Sequence, residues 1–301
     1  KRYRHHPKQS RYRRWAFLVV CLLPLVFIKS TQVAGGCIVD FLSIGQGDCS
    51  VVRTGNGNTY LIDCGSSSIK SVGEYRLKPW LKYHGIAKLE AVFLSHPDSD
   101  HTNGVLEVLE KTNSPDDWYR GEIQIANLVL PAAYREETEA YAIERESDDG
   151  EAEQNEEKGF DAIYRLARKN GIPVLWFDTG DKVTEEGISF FCLHPSEEYP
   201  TYDTNDASMV LMIESQNTVT LFTGDIGRAG EACVMRELNS MAEQQEVLRD
   251  GEGRQEGENS ETEGRFDEKT VILKVAHHGS KNSTSTEFLE LVRPEVSVIS
   301  C

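Results

Sequence analysis

The stretch Ala91-Val92-Phe93-Leu94-Ser95-His96-Pro97-Asp98-Ser99-Asp100-His101 passes from an apolar run into two histidines and two aspartates crowded between positions 96 and 101. A short continuous apolar run bounded by turn residues reads as a buried strand. Its end therefore delivers imidazole nitrogens and carboxylate oxygens to one place, and these are the ligand types that suit zinc and manganese. The spacing His-x-Asp-x-Asp-His can serve two neighbouring ions, with His96 and Asp98 on one and Asp100 and His101 on the other. The competing reading is a polar turn in which Asp100 caps a helix starting near Thr102. A cap uses one carboxylate, whereas this turn has two aspartates flanked by two histidines.

Upstream, Cys37 to Ser43, Ser50 to Arg53 and Thr59 to Asp63 read as three successive strands, turned by Gly45-Gln46-Gly47-Asp48 and Gly55-Asn56-Gly57-Asn58. Asp48 is expected to support a ligand or contact substrate, or else to serve as a turn carboxylate. A helix is expected over Ser68 to Tyr83, and another over Val105 to Leu109, where Gly104 permits close packing. Ile123 to Leu130 reads as one alternating strand. Phe160 to Arg168 reads as helix, and Pro173 to Phe177 and Ile188 to Leu193 as strands. Ser208 to Ile213 and Thr218 to Phe222 form a hairpin, so the second set of strands mirrors the first. Two acidic segments, about 136–158 and 244–269, read as a solvated helix or loop and as a disordered insertion between helix and strand whose only large apolar residues are Val247, Leu248 and Phe266. Neither has the spacing of a calcium-binding loop.

Two later motifs follow the same plan of strand, then polar ligands. Leu221-Phe222-Thr223-Gly224-Asp225 ends a strand in a carboxylate, and Val271 to Ala276 delivers His277-His278-Gly279-Ser280. Taken alone, the first is an ordinary Gly-Asp turn and the second a pair of core histidines. Their order after the early cluster makes them ligand candidates. Either histidine is suited to a metal, and the other to a substrate phosphate or a leaving oxygen; the sequence leaves open which. Ser280, Asn282 and Ser283 are candidate phosphate donors or a cap for the helix over Thr286 to Leu291.

The SHPDSDH form together with Gly45-Gln46-Gly47-Asp48 resembles the ComEC-type DNA-internalisation competence family of metallo-β-lactamase-fold hydrolases, from Cys37 to the last residue. That resemblance implies an α/β fold, an αββα sandwich with the metals at its rim. Asp98 stands where many of these hydrolases carry a second histidine. The resemblance also implies that Asp225 bridges two divalent ions, Mn2+ or Zn2+, and that Asp63 orients their ligands. Metal ligands are then drawn from His96, Asp98, Asp100, His101, Asp225, His277 and His278, with Asp100, His277 and His278 as catalytic groups and Asp48, Asn205 and Ser280 on the substrate side. Where many relatives read His-Thr-Pro-Gly, this chain has Asp203-Thr204-Asn205-Asp206-Ala207-Ser208, so the first ion has few ligands; Asn205 and Asp206 are expected to line the pocket or to bind a ligand through water. His194 is expected to be structural. The chain ends at Ser300-Cys301 within the expected last strand, before a Gly-Asn-x-Tyr-x-His-Pro segment usual in the family.

Composition sets the surroundings. Lys1, Arg2, Arg4, Lys8, Arg11, Arg13 and Arg14 form a basic flank (1–14) without acids, followed by the uncharged run Trp15 to Ile28. The run reads as a membrane segment or signal core over 15–34, with the flank in the cytoplasm and the domain 37–301 outside it. Seven cysteines show no C-x-x-C spacing, which excludes zinc-ribbon and thioredoxin patterns. Cys49 and Cys64 lie on expected neighbouring strands, as buried thiols or a disulfide. The resemblance implies a phosphodiesterase acting on single-stranded DNA. A net charge of −17 argues instead for a small phosphodiester or phosphorylcholine-type ester, since nucleic-acid proteins usually present basic surface. Lys274 and Lys281 are the candidate local cations for a DNA footprint. An adaptor without catalysis is the reading from another class; no protein partner is evident.

Overall fold

The computed structural model describes residues 36–111, 123–147, 160–185, 187–251, 266 and 269–301. The basic flank and the apolar run to residue 34 lie outside them, as do 148–158 and most of 252–268. Among the described residues no helix is long and apolar enough to cross a membrane.

In the first half, β1 (Cys37–Phe41), β2 (Cys49–Thr54) and β3 (Thr59–Cys64) make an antiparallel meander. One π turn, Gly73–Leu77, leads into α1 (Lys78–Tyr83). After β4 (Lys88–Leu89), β5 (Ala91–Phe93) joins β3 in parallel, and α2 (Ser99–Lys111) follows at once. The helix begins at Ser99, three residues before Thr102, so Asp100 and His101 sit in its first turn. β6 (Gln124–Ile125) pairs with β4, whereas β7 (Leu128–Pro131) joins β5. The expected single strand over Ile123 to Leu130 is therefore two strands in two sheets, broken where the Asn127 side chain donates to the Glu90 carbonyl. α3 (Arg135–Ser147), α4 (Asp161–Lys169) and β8 (Val174–Phe177) complete a six-stranded sheet ordered β1-β2-β3-β5-β7-β8.

The second half repeats the scheme. β9 (Lys182–Glu185), β10 (Ile188–His194), β11 (Val210–Glu214) and β12 (Thr218–Phe222) run antiparallel. α5 (Arg228–Gly251) then leads to β13 (Thr270–Lys274), and α6 (Thr286–Val292) to β14 (Val296–Val298), both strands parallel to β12. β9 escapes the sequence pattern because it is an edge strand with exposed, mostly polar residues. Residues 244–251, expected in an insertion, continue α5, because Gln, Glu, Leu and Arg there are good helix formers. The last strand stops at Val298, so Ser300 lies beyond it and is free to turn into the site.

Alternation explains the layers. Val52, Tyr60, Ile62, Phe93 and Val129 of the first sheet meet Phe190, Cys192, Leu211, Ile213 and Phe222 of the second. Phe93 and Phe190 stack across the gap with ring centroids 5.5 Å apart. The residues between them in sequence face outward: Val51, Leu61 and Val92 pack under α1, α2 and α4, and Val210, Met212, Val219 and Leu221 under α5 and α6. Helices on both outer faces and an apolar layer between the sheets make the αββα sandwich. Cys49 and Cys64 face each other in the ladder, both buried and both free thiols.

Candidate metal centre

The carboxyl ends of β3, β5, β12 and β13 lie together at one rim, joined by backbone bonds such as Met209 N–H to Ser95 O (2.7 Å) and His277 N–H to Gly224 O (3.1 Å). Ligands from three sequence motifs meet there, with Asp63 behind them. Gly65 makes the approach possible: a Cβ on it would lie 2.4 Å from the Asp100 carbonyl carbon and from the His101 nitrogen. Gly47, at φ +142°, packs on the same backbone, where its Cβ would come 2.6 Å from the Asp100 oxygen.

Three histidines are aimed by the same device. Asp63 accepts the Ser95 N–H and the Ser95 hydroxyl, both at 2.7 Å, and faces His101 Nδ1 at 2.9 Å. With its proton given to Asp63, the Ser95 oxygen is left to accept from His96 Nδ1 at 3.0 Å. On the opposite side the Ser300 hydroxyl donates to Asp48 and accepts from His278 Nδ1 at 3.1 Å. Each imidazole is thus held at Nδ1, which turns Nε2 of all three rings into the site.

The inward atoms have no partners in the protein. His96 Nε2, His101 Nε2, His278 Nε2 and Asp225 Oδ1 are buried without a hydrogen bond, a state that costs about 1–3 kcal/mol per group unless something else satisfies it. His101 Nε2 faces Asp225 Oδ1 at 3.2 Å, while His278 Nε2 lies 3.7 Å from both Asp225 Oδ2 and Asp100 Oδ2. His96, His101 and Asp225 each bring a ligand atom within 4.8 Å of the others, and so do Asp100, His101 and His278. This donor set fits divalent cations.

Charge follows the same geometry. Burial and the neighbouring His101 hold the His96 imidazole well below its usual range, so it is neutral and its Nε2 is a lone-pair donor. Burial also opposes a charge on His101, but Asp63 and Asp225 on either side outweigh it and raise this ring well above its usual range. Asp225 is buried, yet its contact with His101 and the field of the three imidazoles hold it well below the ordinary carboxylate range. The His278 imidazole, with Nε2 3.7 Å from Oδ2, lowers Asp100. Asp98 differs: burial raises it, only partly offset by the Thr204 hydroxyl that donates to it at 3.2 Å.

The candidates from the sequence divide accordingly. Asp63, His96, Asp100, His101, Asp225 and His278 converge. Asp98 is half-exposed on the rim, its Oδ2 3.8 Å from His96 Nε2. His277 is 40% exposed with Nε2 3.9 Å from Asp225 Oδ2, so of the two neighbours only His278 is aimed inward. Asp48, expected on the substrate side, is buried instead, because Lys274 Nζ pairs with it at 2.7 Å. Lys274, expected as a DNA cation, is spent in that pair. Asp206 does not line the pocket: its carboxylate accepts from Gly227 and Gly230 N–H at the start of α5, and its carbonyl accepts from His194 Nε2 at 2.7 Å. His194 is structural. Asn205 keeps a buried, unpartnered Oδ1. Ser280 accepts from Asn282 N–H within its own turn, and the cap of α6 is Ser285, whose Oγ accepts from Phe288 N–H. Sequence reading gave no function to Ser95, Thr204 or Ser300. A lone lysine inside VILKVA was the available sign of a buried carboxylate partner.

A family model, the metallo-beta-lactamase superfamily, matches residues 42–301. ComE operon protein 3 of Bacillus subtilis is 27% identical over 275 residues, 87% of this chain and 28% of that protein. Recombination protein 2 of Haemophilus influenzae is 27% identical over 287 residues, 95% of this chain and 26% of its own length. The chain thus spans little more than a quarter of these relatives. Among solved structures, the metallo-beta-lactamase fold protein YhfI of Bacillus subtilis has a TM-score of 0.36 at 15% identity, covering 62% of each chain. The resemblance to ComEC-type competence proteins is borne out by the curated relatives.

Proposed function

The chain belongs to the metallo-beta-lactamase superfamily, and from that premise we propose that its rim hydrolyses phosphodiester bonds of single-stranded DNA outside the cytoplasm. The observation that carries this reading is the set of four buried, unpartnered ligand atoms from three separated motifs, His96 and His101, Asp225, and His278. His96, His101, Asp100, Asp225 and His278 would hold two divalent ions, Mn2+ or Zn2+, with Asp98 at the open edge. Such ions supply Lewis-acid polarisation of a phosphate oxygen and acidify water. The protein's own contribution is orientation. Asp63, Ser95, Asp48 and Ser300 fix the tautomer and direction of the three inner rings. His277, exposed at the rim beside Asp225, is placed to give a proton to a leaving oxygen.

The basic flank and apolar run at 1–34 support a domain held at, or released from, the outer face of a cell membrane. A second reading, hydrolysis of a small phosphodiester, is favoured by the net charge of −17. Metal-free protein incubated with single-stranded DNA and with bis-p-nitrophenyl phosphate, then supplied with manganese or zinc, separates the two. Cleavage of both substrates, only with metal, is expected. Cleavage of the ester alone removes the polynucleotide substrate. Cleavage of neither with ions bound turns the domain into an adaptor.

A further inference from the structure

Outside the basic flank at 1–14, the acidic character of the chain is also reversed in the first half of the domain. Between Ser66 and Leu89 stand Lys70, Arg76, Lys78, Lys82 and Lys88 against the single acid Glu74. Lys78 is buried and lies 3.3 Å from Glu74, and Lys88 pairs with Glu90 at 2.7 Å. Lys70, Arg76 and Lys82 are exposed and, among the described residues, form no ion pair. Two tyrosines lie beside them, Tyr75 at 71% exposure and Tyr83 at 86%. Tyr75, Pro79, Lys82 and Tyr83 recur at the spacing of one helical face, and all four are exposed. A face that merely dissolves the helix needs charge, not two aromatic rings held out of the core.

The position of this face matters. The turn before it is bonded to the metal rim: Ser67 N–H donates to Gln46 O, and Gln46 N–H to Ser68 Oγ, both at 2.9 Å, next to the Gly65 contact with Asp100 and His101. β3 and β5 are parallel, so the helical crossover between them runs back from the rim toward the far end of the sheet. Lys70 therefore lies near the site, and Lys82 and Tyr83 at the distant end. There Trp80 is covered by the Arg53 guanidinium at 5.5 Å and by the His84 ring at 3.9 Å, and Tyr83 meets His84 edge-on.

We propose that this face binds a single-stranded polynucleotide, with phosphates on Lys70, Arg76 and Lys82 and bases stacked on Tyr75 and Tyr83, and guides the strand to the metal rim. Exposed cations alternating with exposed rings are the pairing that single strands use without sequence preference. The inference rests on the polynucleotide reading of the site, and it locates a cationic attraction within a domain whose chain has a net charge of −17.

The test is fluorescence anisotropy of end-labelled oligothymidylate on the 301-residue chain in chelator, where nothing is cleaved. Lys70→Gln/Arg76→Gln/Lys82→Gln is expected to weaken binding at least tenfold and to reduce the slope of log affinity against log salt by about 2, since each phosphate contact on a single strand contributes about 0.7. Tyr75→Ala/Tyr83→Ala is expected to weaken binding about tenfold or more while leaving the salt slope unchanged. Lys169→Gln, on α4, should bind as the parent does, and all variants should retain metal-dependent hydrolysis of bis-p-nitrophenyl phosphate. Parental affinity and salt slope in both multiple variants overturns the proposal, as does a parent that fails to bind the oligonucleotide. A face that holds anionic phosphatidylglycerol vesicles and not oligothymidylate overturns it too. If the glutamine variant does not fold, the tyrosine pair decides. A parent that binds through this face without cleaving refutes the hydrolytic reading and leaves the surface; a parent that cleaves while the variants bind normally does the reverse.

Discussion

Replacing Lys274 by methionine keeps the apolar stem and deletes one charge from a pair enclosed on both sides. The Lys274 and Asp48 side chains are 4% and 6% exposed, and Nζ lies 2.7 Å from Oδ2. Removing one partner of a buried ion pair costs about 3–5 kcal/mol, because the remaining charge stays buried. Asp48 keeps the Ser300 hydroxyl and faces His278 Nδ1 at 3.7 Å and His101 Nδ1 at 3.9 Å. Those contacts place the loss at the lower end, about 3 kcal/mol. In Lys274→Met/Asp48→Asn no charge is left, and about 2 kcal/mol of that loss should return as coupling between the two positions. Urea unfolding of the metal-free chain, read as a change of midpoint at constant slope, measures both. A loss below about 1 kcal/mol for Lys274→Met, or a double variant equal to the sum of the singles, would refute the pairing.

Asp63→Asn and Ser300→Ala remove the groups that hold His101 and His278 at Nδ1, and each should weaken metal binding about 10–100-fold in calorimetric titration while the fold persists; unchanged affinity would show that the rings are aimed by packing alone. Asp206→Ala leaves Gly227 and Gly230 N–H without their acceptor at the start of α5 and should cost about 1 kcal/mol in urea; a neutral outcome would contradict its capping function. Burial holds His194 neutral, below its usual range, so on acidification the unfolded chain takes up a proton first. Its contribution is present above about pH 6.5 and falls by about 1.4 kcal/mol per pH unit below that. His194→Gln should flatten the decline of stability between about pH 6.5 and 5 relative to the parent, and parallel curves would exclude His194 as its source.

The sandwich was legible because its strands alternate and its ligands follow strand ends: Val92-Phe93-Leu94 before His96, Leu221-Phe222 before Asp225, Leu273-Lys274-Val275 before His277 and His278. What the pattern missed had no apolar signal, as in the exposed edge strand β9, or had one that spans a break, as at Asn127. Within the site, residue type identified the ligands but not their direction. His277 and His278 are alike in sequence and differ because only His278 meets Ser300, a contact across 22 residues. Asp48 and Asp206 have the composition of pocket residues, yet Lys274 and the amides of Gly227 and Gly230 take them. Such pairings depend on register between strands far apart in the chain, which no local pattern encodes.

The central claim is that distant motifs converge to hold cations. Anomalous diffraction from crystals soaked in manganese tests it directly. The account predicts a peak bonded to His96, His101 and Asp225, lost in Asp225→Ala. A peak elsewhere, or one unchanged by that substitution, would contradict it.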